Sequence, residues 1–570
     1  MFTHVAGRTC RSLNGRWRAI VDPYEAGYRS VQGDPWELGF FRNLPPRPGI
    51  AEYDFERAAR LDVPGDWNSQ REQLLFYEGS IWYKTDFEAA PRAGARLFLH
   101  FGAANYEARV YLNGKKLGEH EGGFTPFAFE ITDRVEADGN FLIVQVDNTR
   151  RAEAVPTRST DWWNYGGLTR DVNLVELPET FIETSFLRLA DDGRVHGFVQ
   201  LRGRAPEQSL SLRIREANVE LELRADADGR AGFAFDASSL VRWSPENPKL
   251  YDVELESETD RLCERIGFRS LATRGCDILL NGEPVFLRGI SIHEEAPTRP
   301  GRAFSEDDAR TLLGWAKQLG CNFVRLAHYP HNEHMVRVAD ELGLLVWAEI
   351  PVYWGIAFDR EDTFARAERQ LREMIERDRN RASVALWSLA NETPQTPERL
   401  AFLAALARRA RALDPSRLVT AALMARAVGE RSMVLDDPLA EHLDVMGCNE
   451  YLGWYYGDPD TLPEWRWTTP HAKPLIVSEF GAGALQGHRG DRGTPFTEEH
   501  QAHVYENQLR MLEEIPFLRG LSPWILKDFR SPRRVLAGIQ DYWNRKGLIS
   551  DRGQRKLAFE VLQRFYRARS

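Results

Sequence analysis

Residues 384–392 read VALWSLANE, an apolar run that ends abruptly in Asn391 and Glu392. A run this short, with a β-branched and an aromatic residue, fits a strand buried on both faces. The same texture repeats outward from it. Apolar runs at about 285–291, 322–328, 344–350, 418–423, 444–450, 474–479 and 521–527 predict further strands. Amphipathic helices lie between them. Ser305 is placed to cap one that runs to Leu319. Asp308 would complete its capping box, and Ala309, Leu312, Leu313, Ala316 and Leu319 share one face. Thr396-Pro397 opens another, with Leu400, Leu403, Leu406, Ala410 and Leu413 inward. The charged run at 369–382 reads as a solvated helix face with Leu371, Met374 and Ile375 turned in. Strands followed by helices or long loops across 274–570 predict a C-terminal (β/α)8 TIM barrel.

Before residue 274 the pattern changes. Leu97, Leu99 and Phe101 alternate with polar neighbours, as do Ala108, Val110 and Leu112, then Leu142, Val144 and Val146. Period two marks half-buried strands, and Asn113-Gly114 between two such runs is a hairpin signal. Residues 1–180 are therefore expected to form a jelly-roll-like β-sandwich. Residues 181–273 continue in short strands, with Leu210, Leu212, Ile214 and then Val219, Leu221, Leu223 alternating. They predict an immunoglobulin-like β-sandwich. WSPENPKLY (243–251) carries two prolines and reads as a loop before another strand.

The chain has 570 residues, enough for three or four domains at roughly 150 residues each. Hydrophobic residues make up 43% and charged ones 28%, the balance of a globular protein. The net charge is −10, so no excess of cations is available to hold nucleic-acid phosphates. No apolar stretch approaches the roughly 18 residues that a membrane span needs. Cys10, Cys263, Cys276, Cys321 and Cys448 are too scattered for a metal site or a disulfide framework, which favours a reducing compartment. The start, MFTHVAGRTCRSLNGRWRAI, has no apolar signal core. A cytoplasmic location is expected, or a periplasmic or secreted one if a leader has been removed. The 16 Trp are expected mostly in the core, with some free to face sugar rings.

In a TIM barrel the active site lies at the C-terminal ends of the strands. The fourth run ends in Asn391-Glu392, the sixth in Asn449-Glu450-Tyr451 and the seventh, PLIVSEF (474–480), in Glu479. The first leads into His293-Glu294-Glu295, the second ends in Arg325 and His328, and the eighth carries Trp524 and Asp528. Carboxylates on strands four and seven would face each other across the mouth. Glycoside hydrolysis needs such a pair: one acid protonates the leaving oxygen and one carboxylate attacks the anomeric carbon. They stand about 5–5.5 Å apart for retention and about 6.5–9.5 Å for inversion. The acid must keep its proton near neutral pH, which a neighbouring carboxylate favours. Arg325 and His328 are expected to hold the nucleophile, and Glu349 and Glu450 to stand behind the site. His331 and His334, near a helix start, are expected in solvent. No metal-ligand spacing is present, and the reaction needs no cofactor.

These segments resemble glycoside hydrolase family 2, and within it the β-glucuronidases. The likeness covers nearly the whole chain. VPGDWN (63–68), GSIWYK (79–84), VYLNGKKLGEHEGGFTPF (110–127) and DWWNYGGLTR (161–170) resemble that family's sugar-binding domain, and WSPENPKLY its middle domain. FLRGISIHEE (286–295), NFVRLAHYP (322–330), WSLANE (387–392) and PLIVSEFG (474–481) resemble its barrel. The resemblance implies Glu392 as acid/base and Glu479 as nucleophile, with Asn391 on the sugar 2-hydroxyl and His293 in contact with substrate. NRKGL (544–548) resembles the Asn-x-Lys signature for a C6 carboxylate, so Asn544 and Lys546 are expected to bind an acidic sugar. Asp161, Asn449, Tyr451, Tyr455 and Trp524 complete the expected substrate-binding set. The Arg that glucuronidases place four residues before that Asn is Gln540 here, with Arg530, Arg533 and Arg534 as nearby substitutes. The Gly-rich stretch 481–499 is expected at the pocket rim. The implied function is a retaining exo-β-D-glucuronidase acting on a small-molecule or oligosaccharide β-glycoside, with no nucleic-acid or membrane partner and homo-oligomerisation open. A β-galacturonidase, a β-galactosidase and a non-catalytic carbohydrate-binding protein are the alternatives.

Overall fold

The computed structural model describes residues 2, 5–30, 32–33, 53–89 and 92–569. The first unit is a sandwich of two antiparallel sheets. One sheet orders Cys10–Ser12, Val172–Pro178, Ala95–Phe101 and Phe127–Glu130. The other orders Ala59–Val63, Gly15–Asp22, Ser80–Phe87, Asn140–Asp147, Glu107–Leu112 and Lys115–Glu121. The alternating residues from Leu97 to Val146 named above are buried between them. The hairpin at Asn113 (φ 50°) and Gly114 (φ 78°) uses two left-handed residues, which matches the twist of the flanking strands.

The second unit is the immunoglobulin-like sandwich. Phe181–Leu189, Arg194–Arg202 and Arg230–Asp236 form one sheet. Val219–Arg224, Ser209–Ile214, Tyr251–Ser257 and Arg261–Ile266 form the other. Leu210, Leu212 and Ile214 fill its core, while Val219, Leu221 and Leu223 on the edge strand are half-buried. The loop 243–251 leaves this unit to plug the barrel base. Trp243 is buried among Leu287, Phe323, Leu345 and Trp347, and its indole N–H donates to the Asp340 carbonyl at 2.9 Å.

The third unit is the TIM barrel. Its parallel strands are β1 (Leu287–Arg288 and Ser291–Ile292), β2 (Phe323–Leu326), β3 (Leu345–Glu349), β4 (Val384–Asn391), β5 (Leu418–Met424), β6 (Met446–Asn449), β7 (Leu475–Glu479) and β8 (Leu518–Leu521). The first half of β1 pairs with β8 and the second half with β2, which closes the sheet. Strand eight therefore lies before the expected 521–527. Its sequence, LRGL, hides it: Gly520 is there because a Cβ would stand 2.8 Å from Leu287 and 3.2 Å from Ile476. The apolar run after it is buried at the barrel mouth instead, with Trp524, Ile525 and Leu526 covered.

The first barrel helix, α1 (Glu306–Leu319), starts at Ser305 with the capping box to Asp308 in place, a device worth about 1 kcal/mol. The apolar face predicted for it is buried. The helix α2 (Glu333–Leu342) follows β2. The helix α3 (Glu361–Asp378) ends before the charged run does, with Leu371, Met374 and Ile375 inward. The helix α4 (Pro397–Leu413) is capped by Thr396 as expected. After β7 and β8 come α5 (Glu498–Glu513) and α6 (Leu557–Arg567). No helix among the described residues is long and apolar enough to cross a membrane.

Buried charge locks the first sandwich onto the barrel. Glu294, just after β1, is fully enclosed between Arg170 of the sandwich (3.2 Å) and Arg302 of the barrel (3.0 Å). Burial would raise its pKa, but the two guanidinium groups overcome that and hold it at about 2. Next to it, the Tyr165 hydroxyl of the sandwich donates to Glu295 at 3.0 Å. The same docking hides His331, which was expected in solvent. It is buried, with Nε2 2.9 Å from the Ala327 carbonyl oxygen, whereas His334 is half-buried. Removing one member of a buried ion cluster leaves an uncompensated charge, which costs about 3–5 kcal/mol. Arg170→Ala is expected to destabilise the folded chain by about that amount, read from urea unfolding, and to expose the 150–170 segment to limited proteolysis.

Candidate active site

The carboxylates of Glu392 and Glu479 meet in one cleft of about 420 Å³ at the barrel mouth. Glu479 ends β7 and is almost buried. Arg325 from β2 donates to its Oε1 at 2.7 Å and the Tyr451 hydroxyl to its Oε2 at 2.7 Å. Arg325 is fully buried. It also donates to both oxygens of Glu349 (3.2 and 3.0 Å), to Asn391 Oδ1 (2.7 Å) and to the Ser478 carbonyl (3.1 Å). Burial opposes its charge, but Glu349 and Glu479 outweigh that and raise its pKa. Glu349, bonded in turn by the Trp347 indole at 2.7 Å and by His328 Nδ1 at 2.8 Å, is held down at about 2 against the same burial.

Glu392 follows the last residue of β4 with φ 50°, the left-handed region, which costs a non-glycine residue about 1–3 kcal/mol. That turn aims its carboxyl back over the mouth. Asn449 Nδ2 donates to its Oε1 at 2.9 Å and the Trp354 indole to its Oε2 at 2.7 Å. Its pKa is raised, first by burial and then by the charge of Glu479, while the two donors pull the other way. The two glutamates are thus differently furnished. One is held by a guanidinium and a phenol, and the other is an acid whose proton is favoured.

The expected substrate-binding residues divide into two groups. Asp161, Asn449, Tyr451, Tyr455, Trp524 and Lys546 line the cleft. Asn391, His293 and Asn544 stand behind it. Asn391 accepts from Arg325 and from Asn449 (3.0 Å), and its amide Nδ2 is buried with no partner among the described residues. His293 bonds the Tyr329 hydroxyl through Nδ1 at 3.1 Å and packs edge-on against Trp524, 5.1 Å between ring centres. Asn544 accepts from the Lys546 backbone N–H at 3.1 Å and donates to Asp161 at 3.2 Å.

The loop that carries Lys546 is pinned from below by Asp528. That carboxylate accepts from the Gly547 N–H (2.9 Å), Lys556 (2.7 Å) and Arg545 (3.2 Å). Gly547 is obligatory, since a Cβ would lie 2.1 Å from the Asp528 nitrogen. The Lys546 ammonium donates to the Tyr455 hydroxyl at 2.7 Å and lies over the rings of Tyr451, Trp454 and Tyr455. It has no carboxylate partner among the described residues, and burial draws its pKa down. Glu450, expected behind the site, is among the cleft-lining residues; it keeps one oxygen unpartnered among the described residues, and burial raises its pKa to about 8.

Of the three candidate arginines, Arg534 reaches furthest in. It pairs with both oxygens of Asp161 and donates to the Tyr455 hydroxyl at 3.4 Å. Arg533 lines the mouth, and Arg530 turns away to stack on Trp543 at 4.4 Å. Gln540 is half-buried and takes no place in the cleft. The Gly-rich 481–499 is not at the rim either; it braces the loop below, with the Ala484 N–H donating to the Arg545 carbonyl at 2.9 Å. Tyr353 and Trp354 line the cleft without having been singled out in the sequence. Their position in PVYWG, directly after the end of β3, is the signal that marks them.

The family description "Glycosyl hydrolases family 2, TIM barrel domain" matches residues 271–515. The sugar-binding domain of that family matches 10–178, and its remaining domain 177–269. A β-glucuronidase from Paenibacillus borealis is 27% identical across 98% of this chain and 96% of its own. A solved β-glucuronidase from an uncultured Clostridium superposes with a TM-score of 0.84 at 25% identity, covering 100% of this chain and 99% of the other. A family 2 β-galacturonidase from Eisenbergiella tayi, solved with galacturonate, superposes with a TM-score of 0.82 at 25% identity, over 100% and 98%. With every domain matched in order, the chain belongs to glycosyl hydrolase family 2.

Proposed function

We propose that the chain is a retaining, exo-acting hydrolase of terminal β-linked uronides, with β-D-glucuronides as the leading substrate. The observation that carries the uronide reading is Lys546, a buried ammonium lining the cleft that is bonded to a phenol and, among the described residues, paired with no carboxylate. A C6 carboxylate would supply the missing counter-charge and restore the cation that burial disfavours. A neutral hexose offers nothing of the kind.

In this reading Glu479 attacks C1 while Glu392 gives its proton to the departing glycosidic oxygen. The C1–O bond to the leaving group breaks as the ester to Glu479 forms. Glu392, now ionised, takes a proton from water, which attacks C1 and releases the sugar with the β configuration kept. Trp524, stacked on His328 at 4.8 Å, forms the apolar wall for the ring. The Tyr455 hydroxyl accepts from Lys546 and Arg534, which leaves its own proton for the substrate, while Tyr451 and Asn449 hold the two glutamates. Asn391, with its free Nδ2, lies next to the acid and suits a ring hydroxyl. His293 and Asn544 act from behind, positioning Trp524 and the Lys546 loop.

A β-galacturonide is the second reading. Glucuronate and galacturonate present the same carboxylate to Lys546 and differ in the direction of one ring hydroxyl. The Asp161–Arg534 pair, built from two domains, stands in the cleft wall as a polar group able to read such a difference. The likeness to the galacturonidase is consistent with it.

Aryl β-glucuronide, β-galacturonide and β-galactoside with one shared leaving group test both readings. The uronides are expected to win, and Lys546→Met to cut kcat/KM on the better uronide by about tenfold to a hundredfold, the value of a charge-assisted hydrogen bond. The same variant should change the hexoside rate little. A wild-type preference for the hexoside contradicts the uronide assignment. The proton on Glu392 also sets the alkaline limb of the pH profile, because activity falls as pH rises through its pKa. Trp354→Phe removes a donor that stabilises the ionised form. The pKa should therefore rise, and the limb in kcat/KM should move up by about one pH unit.

A further inference from the structure

The pocket mouth carries a second cation without a carboxylate partner. Arg533 follows Ser531 and Pro532 in the turn after the short strand Phe529–Arg530, and its side chain is exposed. Its Nη1 donates to the Ser159 hydroxyl at 3.1 Å, and its guanidinium lies on the Trp354 ring, 5.0 Å from the centroid. No ion pair holds it among the described residues, unlike Arg534 beside it, which is committed to Asp161. The turn is fixed from below: the Ser531 hydroxyl donates to Asp161 at 2.5 Å and accepts from the Arg533 N–H at 3.2 Å. Arg533 is therefore presented from a positioned backbone.

Its location relative to the chemistry gives it a role. Trp354 bonds Glu392 Oε2, so Arg533 stands one ring away from the proton donor. The oxygen that Glu392 protonates belongs to the leaving group. The leaving group must then lie on this side of the cleft, between the Trp354–Arg533 stack and the side chains of Met424 and Ala425 at the end of β5. Met424 is exposed, which leaves an apolar wall opposite the cation. Lys546 is buried in the cleft wall and Arg533 is exposed at its mouth, so the two cations occupy different parts of the cleft.

We propose that Arg533 is a specificity-determining residue for the leaving group, and that the preferred substrates carry an anionic group, carboxylate or sulfate, on the aglycone next to the scissile bond. This rests on the assignment of Glu392 as the acid, which fixes the side the aglycone occupies. The choice of glycone does not enter it. Both an acidic aryl group and an acidic +1 sugar present this chemistry.

Steady-state kinetics on the full chain test it in two series. In one, an aryl β-glycoside bearing a meta-carboxylate is compared with its carboxamide. In the other, a β-linked disaccharide with a uronic acid at the reducing end is compared with its neutral hexose counterpart. Each comparison is made on whichever glycone the enzyme turns over, so failure of the uronide reading leaves it intact. The charged member is expected to have the higher kcat/KM by about tenfold, with added KCl eroding the advantage. Arg533→Gln should bring that ratio to about one, and Arg533→Lys should keep part of it. A preference in either series supports the proposal, and the series that shows it names the source of the anion. Equal rates for charged and neutral members in both series overturn it, and so does a preference that survives Arg533→Gln.

Discussion

A guanidinium that cannot lose its charge, placed where no water reaches it, constrains everything around it. Arg325 is such a group, and each of its nitrogens has an acceptor. Burying it is tolerable only if carboxylates come with it. Glu349 supplies one and Glu479 the other, from β3 and β7 on opposite sides of the barrel interior. The nucleophile candidate is thus fixed by the same interaction that makes the charged floor stable. Asn391 is drawn into the network through its Oδ1, which frees its Nδ2 and sets the backbone from which Glu392 turns. One arginine on the second strand therefore orients strands three, four and seven at their C-terminal ends.

The second constraint lies between domains. The barrel alone would leave the mouth without Asp161, Trp162 and the wall they form. Arg170 and Tyr165 bring them in by docking on Glu294 and Glu295, the residues that follow β1. Trp162 then packs edge-on against Tyr353, 4.9 Å between ring centres, and the Trp163 N–H donates to the Arg530 carbonyl at 3.0 Å. Asp161 fixes the 531–534 turn through Ser531 and Arg534. The cleft wall is consequently shared: the sandwich supplies the Asp161 carboxylate, and the barrel loop supplies the Ser531 hydroxyl and the Arg534 guanidinium that bond it. The Arg170–Glu294 pair is buried while the Asp161–Arg534 pair reaches the cleft, so these two ion pairs between the domains stand in different surroundings.

Much of this was legible in the sequence, for reasons particular to each residue. Glu392 and Glu479 stand out because each ends an apolar run, and a strand end in a barrel points at the mouth. Ser305 and Thr396 declare their helices through side chains that only a cap requires. Alternation at Leu97 to Val146 marked the residues between the two sheets, but it did not show that the outer faces are covered as well, with Phe98, His100, Tyr111, Ile143 and Gln145 all buried. What failed was decided by partners distant in the chain. His331 read as solvated because nothing local shows that the first sandwich covers it. Strand eight was placed too late because Arg519 and Gly520 interrupt its two leucines, Gly520 for packing reasons, while the apolar run after it belongs to the mouth. Which arginine enters the cleft depends on a turn that Asp161, some 370 residues away, holds in place. Trp354 was the avoidable omission, since its position after β3 already placed it on the active face.

Retention requires Glu479 to form a bond to the anomeric carbon, and trapping that bond is the most direct test. The enzyme would be incubated with a 2-deoxy-2-fluoro-β-uronosyl fluoride, whose good leaving group lets the first step proceed while the fluorine slows the second. Peptide mass spectrometry would follow. The expected result is one fluorosugar per chain, carried by the peptide that contains Glu479. An adduct on another residue would contradict the assignment, as would its complete absence from an enzyme that turns over the matching aryl uronide.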